Sequence, residues 1–258
     1  MKRAPSLGFT LIELMVGLTL GLLLSLVMAQ LFNNTSSANR ATEDGARVQE
    51  NARFAIDVIG RTVRIAGYKN DPRADSTLVF PTSERALDGT NGAGTASDTL
   101  IVRFQGGGAV TGTADNTILD CLGNPVAPDY TVTYNKAYNR FAIATGADGR
   151  NALFCSNNSA ALPGTELVPG VEAMQVLYGE DTTSPPDGTA DRFVPIGSVT
   201  DLTNVVAVRV YLLLAGRENV RLATGSATYP LAGVDYTYSD QKIRRVVTTT
   251  VVLRNRAP

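Results

Sequence analysis

The apolar run at residues 9–32 constrains the fold more than any other feature of this sequence. It contains 24 residues, and Glu13 is the only charged one among them. A helix of this length, rising about 1.5 Å per residue, crosses a hydrocarbon layer of about 30 Å with some tilt. The run is longer than the roughly 7–15 apolar residues of a cleaved secretory signal, and no A-x-A site follows it. The sequence therefore predicts a membrane-spanning helix at residues 9–32.

The charges in front of this run indicate its orientation. Lys2 and Arg3 precede it, so the positive-inside rule predicts a cytoplasmic N-terminus and a C-terminal part outside the bacterial inner membrane. That compartment permits disulfides, and the chain has two cysteines, Cys121 and Cys155. We therefore predict one disulfide between them, with two buried free thiols as the alternative.

The helical pattern continues beyond the membrane span. No proline occurs between Pro5 and Pro72, and a stripe of small or apolar residues recurs at spacings of four and three: Val48, Ala52, Ala55, Ile59, Thr62 and Ala66. This spacing predicts an amphipathic helix over residues 33–66, which must lie against a folded domain. We expect it to be continuous with the membrane span or to be interrupted near residues 33–37 or at Gly45.

Small residues form a second stripe inside the membrane span. They recur at every fourth position: Gly17, Gly21, Ser25 and Ala29. In lipid such a stripe lets two helices approach closely. The alternative is an ordinary membrane anchor with incidental glycines.

The carboxylate of Glu13 is the unusual group in this span. A charge at the bilayer centre costs about 2.5–3.5 kcal/mol on insertion scales. Glu13 therefore either reaches the interface or is protonated, or it has a positive partner. The sequence has no cation between Arg3 and Arg40, but a cut between Gly8 and Phe9 would create an α-amine that could serve.

Residues 67–258 are predicted to form a periplasmic β-rich domain. Apolar runs alternate with turn residues, and the predicted strands are residues 77–80, 99–104, 130–134, 140–145, 152–155, 171–178, 205–214 and 243–253. The last two are long and rich in β-branched residues, so they suit central strands covered by the helix stripe. Residues 82–97 have the composition of a mobile loop. The predicted fold class is α+β, with a long N-terminal helix packed on an antiparallel sheet.

The composition argues against most catalytic functions. A net charge of −1 gives no electrostatic footprint for nucleic acid, and the absence of His removes the commonest general base and metal ligand. No catalytic residues and no firm cofactor are therefore predicted. Calcium is a weak candidate, with a solvated acidic loop as the alternative, because carboxylates cluster in GEDTTSPPDGTADRF: Glu180, Asp181, Asp187 and Asp191. Arg244 and Arg245 are expected at outward positions of a terminal strand, with an anion site as the alternative.

The N-terminal string LGFTLIEL, residues 7–14, resembles the class III signal of type IV prepilins. The resemblance implies that residues 1–8 are a leader removed by a prepilin peptidase after Gly8, and that the new N-terminal Phe9 is N-methylated. It also implies that Glu13 neutralises the amine of a neighbouring subunit during filament assembly. Many major pilins carry a proline where this chain has Gln30, so no kink is expected there.

Two later stretches resemble the PilW group of minor pilins: residues 47–68 and 243–256, together with VEAMQVLYGED at residues 171–181 and the placement of the cysteines. The resemblance implies a structural protein that primes type IV pilus assembly and sits at or near the pilus tip. The implied partners are other minor pilins, the major pilin, a large tip adhesin, the prepilin peptidase and the inner-membrane assembly platform. The alternatives are a J-type minor pseudopilin of type II secretion and a membrane-anchored periplasmic binding protein or enzyme.

The processing prediction can be tested at Gly8. A Gly8→Val variant should accumulate at precursor length, because the peptidase must bring the backbone close and a side chain there would obstruct it. Mass spectrometry of the membrane fraction should find unprocessed chain for the variant and residues 9–258 for the wild type. Normal cleavage of Gly8→Val would show that the processing assignment is wrong.

Overall fold

The computed structural model describes residues 10–73, 75–130, 136–157, 162–220 and 225–255. Helix α1 runs without interruption over Leu11–Arg64, 54 residues, or about 81 Å at 1.5 Å per residue. Neither residues 33–37 nor Gly45 breaks it, and the stretch contains no proline that would remove a backbone hydrogen-bond donor. Arg61 and Arg64 lie in the last turn, where cations favour the negative end of the helix dipole.

The β domain consists of two antiparallel sheets and a separate hairpin. One sheet has the order β1-β2-β3-β4-β5, with β1 Leu87–Thr90, β2 Thr99–Phe104, β3 Ala137–Thr145, β4 Asn151–Asn157 and β5 Thr165–Pro169. The other has the order β11-β8-β6-β7, with β6 Val171–Glu180, β7 Arg192–Val194, β8 Val205–Asn219 and β11 Lys242–Val252. The hairpin pairs β9 Ala227–Leu231 with β10 Val234–Tyr238. The short helices are α2 Ser76–Val79 and the 3-10 turns Ile196–Ser198 and Leu202–Asn204.

The predicted apolar stripe of α1 forms the centre of the core. All its predicted members are buried: Val48, Ala52, Ala55, Ile59, Thr62 and, just past the end of the helix, Ala66. The apolar members pack in one cluster with residues of β2, β3, β6, β8 and β11. Hairpin β9–β10 covers part of the sheet through a second cluster that includes Leu213, Leu231 and Tyr236. The predicted α+β class, a long helix on antiparallel sheet, is confirmed.

Some strand predictions were wrong, for identifiable reasons. Of the predicted strand 77–80, residues 77–79 fall in α2, because a four-residue apolar run does not distinguish a helical turn from a strand. Residues 131–134 of the predicted strand 130–134 lie outside the described part of the chain. β11 is an edge strand, and only β8 of the last two strands is central. β5, β9 and β10 were not predicted, because their apolar residues are too few to give a pattern.

The stretch 82–97 is anchored, contrary to the prediction of a mobile loop. It contains β1, and its end lies against β6 through a buried carboxylate. Asp98 accepts hydrogen bonds from the backbone N–H of Gly92, at 2.8 Å, and of Val176, at 2.7 Å. Gln175 donates to the Ala96 carbonyl at 3.0 Å and to Tyr236 at 2.7 Å. These contacts cover the part of β6 that no strand pairs on that side.

A buried carboxylate also joins α1 to the domain at its membrane-proximal end. Asp44 is 6% exposed and accepts hydrogen bonds from the backbone N–H of Arg217, at 2.9 Å, and of Glu218, at 3.5 Å. Gly216 lies directly against this carboxylate, where a Cβ would collide with it. Asp44 precedes Val48 by four positions, so it continues the buried stripe by one turn with a polar contact.

Arg244 is buried, so its predicted outward position was wrong. Its side chain is 1% exposed and lies over the Tyr238 ring at 3.6 Å from the ring centroid. The guanidinium donates to both carboxylate oxygens of Glu172, at 2.6 and 3.0 Å, and to both of Asp240, at 2.5 and 2.8 Å. A buried cation with two carboxylates is satisfied, and this network ties the end of β10 to β11 and β6.

Lowering the pH should weaken this network of Arg244, Glu172 and Asp240 over a defined pH range. Hydrogen bonds from Arg244 lower the pKa of Asp240 from 3.8 to about 2. A carboxylate with a depressed folded-state pKa stabilises the fold fully above its unfolded pKa, and this stabilisation is lost as the pH falls from about 4 to about 2. Asp240→Asn should therefore lower the free energy of unfolding at pH 7, and the difference from the wild type should vanish near pH 2.

The measurement is urea unfolding of the full-length protein in detergent, followed by tyrosine fluorescence, at a series of pH values. Asp235→Asn is the matched control, because Asp235 lies exposed on the same hairpin. A difference between Asp240→Asn and the wild type that is independent of pH would contradict the assignment.

Candidate functional site

The start of α1 is held by a reciprocal pair of hydrogen bonds. Thr10 is the N-cap, and its hydroxyl accepts from the Glu13 backbone N–H at 3.3 Å. The Glu13 Oε2 accepts in return from the Thr10 backbone N–H, at 3.0 Å, and from its hydroxyl, at 2.9 Å. This is a capping box, and it places a carboxylate at the positive end of the helix dipole. Sequence reasoning missed it, although the T-x-x-E spacing was present as a signal.

The predicted small residues leave an open groove that begins at Glu13. Gly17, Gly21 and Ser25 line it together with Glu13 and the neighbouring leucines, over a volume of about 620 Å³. A Cβ added at Gly17 or Gly21 would meet no atom within 4 Å. Ala29 lies one turn further along and does not line the groove. The structure thus gathers the carboxylate and three of the four small residues on one accessible surface.

The side chains around this groove are suited to lipid. The large apolar residues of residues 11–32 are each 51–78% exposed, and no residue of this segment is buried. Among the described residues, α1 is the one helix long and apolar enough to cross a membrane. Gly8 and Phe9 lie outside the described residues, so the cleavage and methylation assignments stay predictions.

The two cysteines are joined, as predicted. The Cys121–Cys155 disulfide connects the segment before β3 to β4, with Cys155 fully buried. Asp120 orders this segment by accepting hydrogen bonds from the backbone N–H of Leu122, at 2.8 Å, and of Asn124, at 2.9 Å. The Asn157 amide also donates to Asp120, at 2.7 Å, so a polar contact from β4 lies beside the disulfide.

Two of the four carboxylates proposed as calcium candidates are buried and used by the protein itself. Glu180 is 1% exposed and lies 2.7 Å from Arg192. Burial alone would raise the pKa of Glu180, but hydrogen bonds from Arg192 and from the backbone N–H of Thr200 and Asp201 bring it below its ordinary value. Asp181 is 3% exposed and accepts from the backbone N–H of Gly188 at 2.7 Å.

The other two carboxylates order the loop itself. Asp191 accepts from the backbone and the hydroxyl of Thr182, at 2.7 and 2.9 Å, and Asp187 accepts from the Thr189 N–H at 2.8 Å. In the described part of the chain no group of three or more such side chains is gathered for a metal ion. The calcium suggestion therefore stays a prediction without geometric support.

Comparison with known proteins finds two matches to family models and a similar solved structure. Residues 140–255 match the family model described as Type IV Pilus-assembly protein W, PilW, and residues 3–29 match the prokaryotic N-terminal methylation motif. A solved type IV-like pilin from Thermus thermophilus has the same fold, with a TM-score of 0.51 and 17% identity over 82% of this chain and 98% of that chain. No curated protein matches the sequence significantly.

The fold, the exposed apolar helix and the methylation motif together define a type IV pilin-like protein, a class of structural subunits that are anchored in a membrane and associated with a pilus. The match of residues 140–255 to the PilW model, together with this motif and fold, supports a PilW-type minor pilin. The secretion pseudopilin that the sequence left open as an alternative is not favoured by these matches.

The disulfide should contribute strongly to stability. Its cysteines are 34 positions apart, and the chain-entropy model gives about 3–4 kcal/mol for closing a loop of this length. The double variant Cys121→Ala/Cys155→Ala should lose about that much free energy of unfolding in urea titrations of the full-length protein.

Reduction of the wild type serves as the matched control. The wild type should fall to the level of the double variant when dithiothreitol is added, and the double variant should not respond to the reductant. Two titratable thiols in unreduced, denatured protein from the periplasm would refute the pairing.

Proposed function

We propose that this minor pilin primes type IV pilus assembly and occupies a position at or just beneath the pilus tip. The observation that carries the proposal is the placement of Glu13 at the head of an open groove on an otherwise apolar helix. A carboxylate in lipid requires a partner, and the groove offers a neighbouring helix a close approach to it.

The proposed partner of Glu13 is the amine of an adjacent subunit. Removal of residues 1–8 after Gly8 frees the α-amine of Phe9, which is then N-methylated and keeps a positive charge. Both hydrogen bonds to the Glu13 carboxylate in the described structure go to Oε2. An ammonium group approaching along the groove would form a charge-assisted hydrogen bond, which is about twice as strong as one between neutral groups.

The presence of Glu13 also bears on position in the filament. Among pilins the outermost minor subunit can lack this glutamate, because nothing sits above it. This chain keeps Glu13, so we place a subunit above it and the tip adhesin beyond that subunit. Its lateral partners are then other minor pilins, and the major pilin lies below.

The orientation of the domain follows the same scheme. Lys2 and Arg3 keep the N-terminus cytoplasmic, and residues 67–258 lie in the periplasm before assembly. The Cys121–Cys155 disulfide supports an oxidising compartment. Extraction from the membrane by the assembly platform would move the apolar half of α1 from lipid into the filament.

The assembly role is tested at Glu13. Glu13→Ala should leave membrane insertion and cleavage after Gly8 intact but strongly reduce the number of pili per cell and the recovery of the variant in sheared filaments. Glu13→Gln should be nearly as defective, because the amide keeps the shape of the side chain and loses its charge. Glu43→Gln is the matched control, since Glu43 lies exposed on the same helix outside the membrane run.

Wild-type piliation together with normal incorporation of both Glu13 variants would overturn the proposal. In that case Glu13 would only cap its own helix.

A further inference from the structure

The second sheet has a long open edge beside the outer half of α1. Within the described part of the chain, β11 pairs with β8 alone, so one side of this 11-residue strand carries no strand partner. The other sheet edges are much shorter, with four residues in β1, five in β5 and three in β7. A long unpaired edge is a template for another strand, and proteins usually keep such edges short or covered.

A groove of about 430 Å³ lies between this edge and α1. The strand contributes Arg245, Val247 and Thr249 to its lining, and the helix contributes small or apolar side chains at Ala52, Ile56 and Gly60. A strand added beside β11 would direct every second side chain toward the helix. The groove is therefore the space that such side chains would fill.

The charges that line the groove indicate what kind of segment would bind there. Arg53, Arg64 and Arg245 line it, and its single carboxylate, Asp57, already pairs with Arg61 at 3.2 Å. An acidic segment is complementary to these three arginines. A second copy of this chain that offered the same edge would bring two sets of arginines together, which like-charge repulsion opposes.

The helical repeat of α1 indicates the side of the helix on which a neighbouring subunit would pack. A helix with about 3.6 residues per turn returns to the same face after about 36 residues. Gly17 and Arg53 are 36 positions apart, as are Glu13 and Gln49. Because α1 is continuous, the membrane groove that starts at Glu13 and the groove beside β11 lie on one face. A subunit packed along the first groove is thus on the side of the second.

We propose that the open edge of β11, with the groove beside it, receives an extended acidic strand from the globular domain of a neighbouring pilin subunit of different sequence. The strand would pair with the backbone of β11 and place carboxylates against Arg53, Arg64 and Arg245. This inference rests on the proposed assembly role, which supplies the neighbour.

Site-specific cross-linking in living cells tests the inference on the full-length protein. A photoreactive phenylalanine analogue in place of Thr249 should give an adduct with a second protein that itself carries a prepilin N-terminus. Mass spectrometry should map the linked peptide to an acidic, extended segment of its globular domain. The same analogue in place of Thr237, exposed on hairpin β9–β10, is the control and should not give this adduct. A second probe at Val252, 57% exposed on β11, should capture the same partner.

Charge reversal provides the second arm. Arg53→Glu combined with Arg245→Glu should lower the adduct yield at least about tenfold, the loss expected when charge-assisted contacts are replaced by repulsion. Arg73→Glu, an exposed arginine away from the groove, should leave the yield unchanged. No adduct from either β11 probe, an adduct with a second copy of this chain, or a yield insensitive to charge reversal would overturn the inference.

The two proposals fail in different ways. If the wild type forms pili, the Glu13 variants do not, and neither β11 probe gives an adduct, then the inference about the edge is overturned and the assembly role stands. Normal piliation in the Glu13 variants would overturn the assembly role regardless of the cross-linking result.

Discussion

The packing of the apolar stripe of α1 on the sheets is the contact on which the rest of the structure depends. Val48, Ala55 and Ile59 are 0–4% exposed, and full burial of a side chain the size of Val or Ile contributes about 1.5–3 kcal/mol. Because the stripe begins at Asp44, the preceding residues 33–43 rise about 16 Å above the membrane run without any such contact. One continuous helix therefore sets both the height of the domain above the membrane run and the rotation of the domain about the helix axis.

Hydrophobic periodicity in the sequence predicted those helices and strands that have one apolar face and one polar face. The stripe of α1 and strand β2 are of this kind, so their positions could be read directly. Strands β6 and β8 are buried on both faces, and their long apolar runs marked them as strands. Polar side chains that are buried could not be predicted in the same way. Asp44 and Arg244 are charged, so a hydrophobicity pattern assigns them to solvent-exposed positions. Their burial is tolerable because partners distant in sequence satisfy their charges.

The candidate site likewise combines features that are visible in the sequence with features that only the fold creates. The glycine spacing and the single carboxylate are properties of the sequence alone, and both were found there. The capping box was also present as Thr10-x-x-Glu13, but a hydroxyl is neutral and so is not the cation expected beside a carboxylate in lipid. The sequence predicts Glu180 and Asp181 as weak calcium candidates or as part of a solvated acidic loop. It does not reveal their burial, because Arg192 and the backbone N–H groups that satisfy them are assembled only by the fold.

The capping box changes the physical question that Glu13 poses. An unpartnered charge would have to be neutralised or drawn to the interface while the subunit waits in the membrane. With Thr10 donating twice to Oε2, the carboxylate is partly satisfied within its own first turn, close to the positive end of the helix. The energetic need for a neighbour is thus lowered without being removed, since neutral donors stabilise a carboxylate less than a cation does. Under the proposed assembly role, a cation arriving along the groove would therefore still stabilise this carboxylate further.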